Sequence, residues 1–395
     1  MQQPLTCKGF TASGVAAGIK KNNDLDLGML VSDRPAQVAA VFTNNRVQAA
    51  PVKLGRQRVK SGVARVVVAN AGNANCANGP QGMDAALAMS AEAANVLNVP
   101  EDQVLVASTG VIGAPFPSDK VASAMPRLAD ALCEDGIGDL ARAIMTTDTV
   151  PKAAGREGQA DNANYRIVAV AKGAGMIRPD MATMLCFICT DAEMAADDLQ
   201  RALGQAVDAS FNRITIDGDT STNDTVILMA SGASGAVVHS QDDKKTFQRL
   251  LDDLLMDLAR QLVKDGEGVT KVVDLTVQGA HSDEDAYQIA DTIAHSPLVK
   301  TAFFGEDANW GRIIAAAGRA GVDLDPDRLD LFFDTVQMVK NGTGCGMAAE
   351  TEATAVIKKP EFSVTLDLHL GTGQATMLTC DFSLDYVKIN ADYRS

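Results

Sequence analysis

One stretch of the chain places a threonine directly after a glycine-rich loop, at the start of a predicted strand. It reads Lys172-Gly-Ala-Gly-Met-Ile-Arg-Pro-Asp-Met-Ala182-Thr183-Met-Leu. The small Ala182 leaves its carbonyl within reach of the Thr183 hydroxyl. An N→O acyl shift followed by ester hydrolysis would cut the Ala182–Thr183 bond and free the α-amine of Thr183. Because that amine has an unperturbed pKa of about 7.7–8.0, it can act as general base for the threonine hydroxyl.

The residue pattern alone leaves a plainer interpretation open, in which this stretch is only a glycine loop before a strand. The histidines give weak support for a mechanism without histidine, because none of them lies in a pattern typical of a catalytic histidine. They are His239, His281, His295 and His369.

Three other patterns suggest metal or phosphate binding only superficially. Residues 186–189 read Cys-Phe-Ile-Cys, but they lie in an apolar strand, where residues three apart point to opposite faces. Residues 342–346 lack the Lys-Ser/Thr ending of a phosphate-binding loop. Residues 217–224 are rich in Asp but lack the spacing of a calcium-binding loop. We therefore expect no metal and no resident cofactor.

Composition excludes several classes of protein. The chain has 395 residues, with 35 Lys and Arg against 50 Asp and Glu, for a net charge of −15. An acidic chain without a basic stripe is not expected to bind nucleic acid or an anionic membrane surface.

The seven cysteines, an odd number, predict reduced thiols. The N-terminus does not resemble a targeting peptide, and no apolar run is long enough to span a membrane. We expect a cytoplasmic protein.

Strands and helices alternate along the chain, which predicts an α/β or α+β fold. The elements next to the possible chemistry are a strand over 104–107 ending in a turn at 108–110, a strand over 165–171, the loop 172–179 and a strand over 183–190. A helix over 243–264 has apolar residues near the 3.6-residue period. The polar gap at 279–284 predicts a boundary between a catalytic core, 1–280, and a smaller C-terminal α/β domain, 281–395.

The stretch around Thr183 resembles the self-cleavage motif of the ornithine acetyltransferase family, also called bifunctional glutamate N-acetyltransferases. The resemblance runs from about residue 8 to the end of the chain. Asp180 is a mild departure, because many members carry Asn there. Seven more segments follow the family in order: 71–75 (AGNAN), 107–113 (ASTGVIG), 145–149 (MTTDT), 217–224 (DGDTSTND), 265–268 (DGEG), 305–312 (GEDANWGR) and 386–395 (YVKINADYRS).

The resemblance implies a layered fold, with sheets between helices and N-terminal-nucleophile chemistry. It also implies an activity, the transfer of an acetyl group from N2-acetylornithine to glutamate through an acetyl-threonine, in arginine biosynthesis. Some members also accept acetyl-CoA as donor. The implied partners are these small molecules. The two self-cleaved fragments are expected to stay together, as a heterotetramer with two copies of each.

The resemblance also assigns roles to individual residues. Thr183 is the nucleophile, and Thr109 with Gly110 forms the oxyanion hole, although Ser108-Thr109-Gly110 alone reads as an ordinary turn. The residue types of the substrate-binding set suit a zwitterionic amino acid: a carboxylate for an ammonium group, an ammonium for a carboxylate, and neutral donors. Thr147 competes with Thr149, because Thr-Thr-Asp-Thr leaves the register open. The set is Thr149, Lys172, Thr183, Glu267, Asn390 and Ser395.

Two alternative functions belong to other classes. An N-terminal-nucleophile amidohydrolase or aminopeptidase of similar fold would make the same cut but pass the acyl group to water, so dependence on glutamate separates the two. A binding protein that has kept the fold without catalysis would have no use for cleavage, and a single intact chain would favour it.

Overall fold

The computed structural model describes residues 5–178 and 184–392, and its contacts divide them into two compact units. The first unit comprises the described residues of Met1–Asn212 and Asp219–Leu262. The second comprises Arg213–Gly218 and the described residues of Val263–Ser395. The predicted boundary at 280/281 therefore lies too late, because a strand over 272–280 belongs to the sheet of the second unit.

The first unit is built from eight strands and six helices along its described residues. The strands are β1 (Phe10–Val15), β2 (Leu27–Phe42), β3 (Val63–Asn73), β4 (Val104–Val111), β5 (Lys152–Ala160), β6 (Ala163–Lys172), β7 (Leu185–Thr190) and β8 (Thr225–Ala230). The helices are α1 (Ala50–Arg58), α2 (Gly79–Leu97), α3 (Ser118–Asp130), α4 (Ile137–Ala143), α5 (Ala196–Ala209) and α6 (Gln241–Lys264).

These strands form one sheet in the order β4-β3-β2-β8-β7-β6-β5, with β1 paired to the first part of β2. The pairs β3–β4 and β7–β8 are parallel, and the others are antiparallel. Alternate residues bury opposite faces, as the period of a strand requires. Val66 and Val68 pack with α2 and α3, whereas Val67 and Ala69 pack on the side of α4. The sheet is thus covered by helices on both faces.

Strand β4 is longer than the sequence predicted, so Ser108, Thr109 and Gly110 lie in a strand and not in a turn. The cause is its neighbour β3, which continues through the Asn/Gly-rich stretch to Asn73 and supplies a parallel partner as far as Gly110. The register of the pair shifts at Asn73, where the regular ladder ends.

The second unit has its own sheet and helices. Its strands are β9 (Val272–Ala280), β10 (Asp330–Phe333), β11 (Val336–Lys340), β12 (Thr343–Gly344), β13 (Glu361–Asp367) and β14 (Gly373–Cys380). Its helices are α7 (Asp283–Ala294), α8 (Pro297–Phe304), α9 (Trp310–Gly318), α10 (Met347–Ile357) and α11 (Leu384–Ala391). The sheet order is β12-β11-β10-β13-β9-β14, and its apolar side packs on α7, α9 and α10.

The predicted fold class, α/β with sheets and helices in layers, is confirmed. Among the described residues, no helix combines the length and the apolar character that crossing a membrane would require.

Candidate functional site

The predicted site residues fall into three groups. Ala182, Thr183 and Ser395 lie outside the described residues. The first unit contains Thr109, Gly110, Thr147, Thr149 and Lys172, and the second contains Glu267 and Asn390.

Lys172 and Thr109 meet at one end of the sheet in the first unit. Lys172 is the last residue of β6 and is 2% exposed, and Thr109 in β4 is 3% exposed. The Lys172 ammonium donates to the Thr109 hydroxyl at 3.4 Å and to the Thr146 hydroxyl at 2.6 Å. Lys172 also lies opposite Leu185 in the β6–β7 pair. This end of the sheet is therefore where the chain enters β7, two residues after Thr183.

Gly110 sits where the backbone of β3 leaves no room for a side chain on β4. Its φ is +129°, a conformation that residues with a side chain rarely adopt. A Cβ added there would lie 2.3 Å from the carbonyl carbon of Gly72 and 2.6 Å from the nitrogen of Asn73. The position next to Thr109 therefore requires glycine.

The buried Asp148 holds Lys172 in place. Asp148 accepts a hydrogen bond from the Lys152 ammonium at 2.7 Å and lies 3.7 Å from the Lys172 ammonium, and all three side chains are at most 3% exposed. It also accepts from the Gly173 N–H at 2.7 Å and the Thr146 N–H at 3.0 Å. Burial alone would raise the pKa of Asp148, but the two ammonium groups lower it well below its usual value. The carboxylate is thus ionised and fixes the start of the loop after β6.

The segment 145–149 contributes differently from the prediction. Thr149 is exposed and Thr147 is half-buried, and the hydroxyl that contacts Lys172 is that of Thr146. Sequence reasoning missed Thr146, Asp148 and Lys152. The signal available for the first two was their place in the Met-Thr-Thr-Asp-Thr segment. Lys152 carried no signal of its own, since only the fold brings it to Asp148. The substrate contact of Thr149 remains a prediction.

Asn223 and Asp224, the two residues before β8, hydrogen-bond to the backbone near the ends of β3, β4 and β7. The Asn223 side chain donates to the Ser108 carbonyl at 2.8 Å and to the Ala74 carbonyl at 2.6 Å. The Asp224 carboxylate oxygen Oδ1 accepts from the N–H of Met184 at 3.0 Å. The pair thereby fixes the backbone before Thr109 and the backbone after Thr183. The sequence had marked this segment only as a polar turn near the site.

The second unit brings Glu267 and Asn390 together. The Asn390 side chain on α11 donates to Glu267 Oε2 at 2.8 Å, and Glu267 is 8% exposed. The helix is set by Ser383, whose hydroxyl accepts the Tyr386 N–H as an N-cap. Gly268 allows this approach, because a Cβ there would lie 2.5 Å from the Tyr386 nitrogen. A carboxylate beside an amide can bind an ammonium group.

The described residues contain no cluster of three or more His, Cys, Asp or Glu side chains that could hold a metal ion. Cys186 and Cys189 are both buried in β7, and burial raises the pKa of the Cys186 thiol. Thiols in that state are poor metal ligands. The donors at the end of the first sheet are instead an ammonium and neutral hydroxyls, which suit a carboxylate or a developing oxyanion.

The family model and the curated relatives agree on one family. A family model described as the ArgJ family matches residues 11–395. A relative from Geobacter sulfurreducens, named arginine biosynthesis bifunctional protein ArgJ, is 52% identical over 393 residues and covers 99% of this chain and 100% of its own. A relative of the same name from Syntrophotalea carbinolica is 49% identical over 389 residues, covering 98% and 99%.

Among solved structures, a chain of the protein of that name from Bacillus halodurans is 40% identical, with a TM-score of 0.50. The match covers 52% of the present chain and 97% of that chain. The chain therefore belongs to the ArgJ family, which confirms the family and the acetyltransferase class that the sequence predicted.

Proposed function

We propose that this protein cuts itself between Ala182 and Thr183 and then moves an acetyl group from N2-acetylornithine to glutamate through an acetyl ester of Thr183. The observation that carries the proposal is the buried contact between Lys172 and Thr109 at the end of the sheet where β7 begins. The Lys172 ammonium, the Thr109 hydroxyl and Gly110 thus lie at the end of the sheet where the chain that follows Thr183 enters β7.

The chemistry proceeds in two half-reactions. The Thr183 hydroxyl, assisted by its own α-amine, attacks the acetyl carbonyl of N2-acetylornithine and releases ornithine. The amino group of glutamate then attacks the ester carbonyl, the bond between the acetyl carbon and the Thr183 oxygen breaks, and N-acetylglutamate leaves with the Thr183 hydroxyl restored. Each step passes through an oxyanion, for which the Thr109 hydroxyl and the Gly110 N–H are the proposed donors.

Substrate recognition is assigned by charge. Lys172 and the hydroxyl of Thr149 are proposed to bind the substrate carboxylate, with Thr146 holding the lysine in place. Glu267, whose Oε2 accepts a hydrogen bond from Asn390, is proposed to bind an ammonium group. Ser395 is proposed as a further polar contact. These residue types match an amino acid that carries both charges.

The fragments of the cleaved chain are proposed to remain joined, because they share one sheet. Strands β1–β6 precede the cut, whereas β7 pairs with β6 and β8 pairs with β2. The Bacillus halodurans chain supports the cut, since 97% of it matches only 52% of the present chain. A fragment of 395 − 182 = 213 residues would be about 54% of the chain. We further propose a heterotetramer with two copies of each fragment, in the cytoplasm.

Acetyl-CoA is proposed as a second acetyl donor, because the relatives are named bifunctional. No resident cofactor or metal is proposed. The alternative hydrolase would need only the same nucleophile and water, but membership of the ArgJ family favours transfer to an amine.

The test combines intact mass with steady-state kinetics. The purified protein should contain fragments of 182 residues and 213 residues, and ornithine release should depend on glutamate. Because one threonine must first accept and then give up the acetyl group, double-reciprocal plots at several glutamate concentrations should be parallel. Release that is equally fast without glutamate would favour the hydrolase. Intersecting lines without a trapped acetylated 213-residue fragment would instead indicate direct transfer.

A further inference from the structure

Lys20 lies beside the strand end that carries Gly110, in the segment that joins β1 to β2. Its side chain packs on Gly72 of β3, since a Cβ added to Gly72 would lie 3.5 Å from Lys20 Cγ. Gly72 is in turn the partner of Gly110 in the β3–β4 pair. Gly110 follows Thr109, whose hydroxyl accepts a hydrogen bond from Lys172. Lys20 and Lys172 therefore lie at the same end of the sheet in the first unit.

A buried carboxylate fixes the backbone that carries Lys20. Asp26 is 0% exposed and accepts the N–H groups of Ala17 and Ile19 at 2.6 Å each. It also accepts the N–H of Lys20 itself at 2.9 Å. Because both oxygens of Asp26 are engaged with the backbone, they hold Lys20 in position without forming a direct hydrogen bond to its ammonium group.

The ammonium group of Lys20 has donors to spare. It donates to the carbonyl of Leu25 at 2.7 Å, and the residue is only partly buried. Across the described residues it forms no ion pair with a carboxylate. An ammonium group has three N–H donors, so the others remain for a ligand.

The charges around Lys20 leave this end of the sheet positive. Burial lowers the pKa of Lys20, the carboxylates of Asp26 and Asp24 oppose this effect, and the charge of Lys172 lowers the pKa further. The two ammonium groups thus act on each other in a partly buried place, where screening by water is weak. The Asp148 carboxylate is shared between Lys172 and a second buried lysine, so it does not cancel this charge. A ligand with two carboxylates would relieve the repulsion.

The two amino acids of the proposed transfer differ in their carboxylates. N2-acetylornithine has one, for which Lys172 is the proposed partner, whereas glutamate has a second at the end of its side chain. We propose that Lys20 determines specificity for the acetyl acceptor: its ammonium group binds one carboxylate of glutamate while that of Lys172 binds the other. This inference rests on the proposed function, in which glutamate is the acceptor.

The first test is Lys20→Met, which keeps an unbranched side chain over Gly72 and removes the charge. In a reaction with an acetyl-enzyme intermediate, kcat/KM for each substrate reports its own half-reaction. The value for glutamate should fall about 10-fold or more, because one charge-assisted contact is lost. The value for N2-acetylornithine should stay that of the wild type. A merely structural role for Lys20 would lower both.

Three comparisons sharpen this test. Glutamine carries an amide in place of the second carboxylate, so Lys20→Met should lose the preference for glutamate over glutamine. Lys20→Arg keeps a cation and should keep the preference. Lys21→Met is the matched control, because Lys21 is the next residue and is exposed, and it should behave as the wild type. An unchanged kcat/KM for glutamate in folded Lys20→Met, or an equal loss for both substrates, overturns the proposal.

A second measurement needs no substitution. Glutarate has two carboxylates, and glutaramate has the same carbon chain with one of them replaced by an amide. As inhibitors competing with glutamate in the wild type, glutarate should bind about 10-fold more tightly than glutaramate. Equal inhibition would refute the proposal even if Lys20→Met does not fold. Ornithine release that does not depend on glutamate in the wild type would refute the proposed acceptor instead.

Discussion

The hydroxyl of Thr109 is shielded from water beside the Lys172 ammonium, so a charge in this site would be weakly screened. If the hydroxyl stabilises the developing oxyanion, Thr109→Ala should lower kcat about 10²-fold or more. KM should change little, because the oxyanion exists only in the transition state. Thr109→Ser keeps the hydroxyl and should retain most of the turnover. A near-normal kcat with a much higher KM in Thr109→Ala would assign Thr109 to ground-state binding.

Asp148 gives a second prediction for a single residue. Asp148→Asn leaves the Lys152 and Lys172 ammonium groups buried without their carboxylate, so unfolding free energy should fall by about 3–5 kcal/mol. Asp139→Asn breaks an exposed pair with Arg142 and should cost about 1 kcal/mol or less. Chemical denaturation measures the unfolding free energy of the two variants. Equal losses of unfolding free energy would contradict the role of Asp148 as the carboxylate that stabilises the buried Lys152 and Lys172 ammonium groups.

The pH dependence of stability tests the same carboxylate. The folded-state pKa of Asp148 is depressed, so its contribution is complete above the unfolded value of about 3.9 and is lost as pH falls toward the folded value. Wild-type stability should therefore decline below about pH 4 more steeply than that of Asp148→Asn. Denaturation midpoints measured between about pH 5 and pH 2 would reveal the difference.

The sequence predicted the chemistry at this end of the sheet but not the hydrogen-bond partners of each residue. Lys172 and Thr109 could be predicted as site residues, since both lie in segments that resemble the family. Thr146 could not be chosen within Thr-Thr-Asp-Thr, because spacing alone does not say which hydroxyl turns toward Lys172. The ion pair of Asp148 with Lys152 depends on where the chain enters β5, which no local pattern specifies.

Among the secondary-structure elements, the close approach of β3 and β4 depends on one glycine. Gly110→Ala places a Cβ against the backbone of Gly72 at a positive φ, so the strands must separate. The variant should lose about 2 kcal/mol or more of stability, together with acetyl transfer. Gly204→Ala, in the middle of α5 with no atom within 4 Å of the new Cβ, should instead be neutral or slightly stabilising. Thermal unfolding of both variants checks the contrast, and a Gly110→Ala protein of normal stability would contradict it.

The elements themselves were largely predictable, because apolar runs and helical periods are local signals. The helix over 243–264 agrees closely with α6, and the strand over 165–171 lies within β6. The extension of β3 through Asn70–Asn73 was not predictable, because an Asn/Gly-rich segment favours a loop until a parallel neighbour satisfies its backbone. The division between the units was missed for a similar reason, since the pairing of β9 with β13 is non-local.

At the scale of the whole molecule, the proposed cut separates the chain without separating the sheet. Strands β7 and β8 follow the cut and pair with β6 and β2, which precede it. Parting the fragments would therefore expose unpaired strand edges and the apolar faces that the sheet buries, so they should remain associated after cleavage.

Native mass spectrometry should show the 182-residue and 213-residue fragments in one assembly, and denaturing mass spectrometry should show them separately. Thr183→Ala should remain one chain with the same oligomeric state and no transfer activity, because it lacks the hydroxyl for both the shift and the acetyl ester. Thr190→Ala is a control at the far end of β7, where the hydroxyl donates to the Arg166 carbonyl and accepts the Ala192 N–H, and it should still cleave. A cleaved and active Thr183→Ala protein would refute the mechanism, whereas fragments that separate without denaturant would refute the shared sheet as the reason for their association.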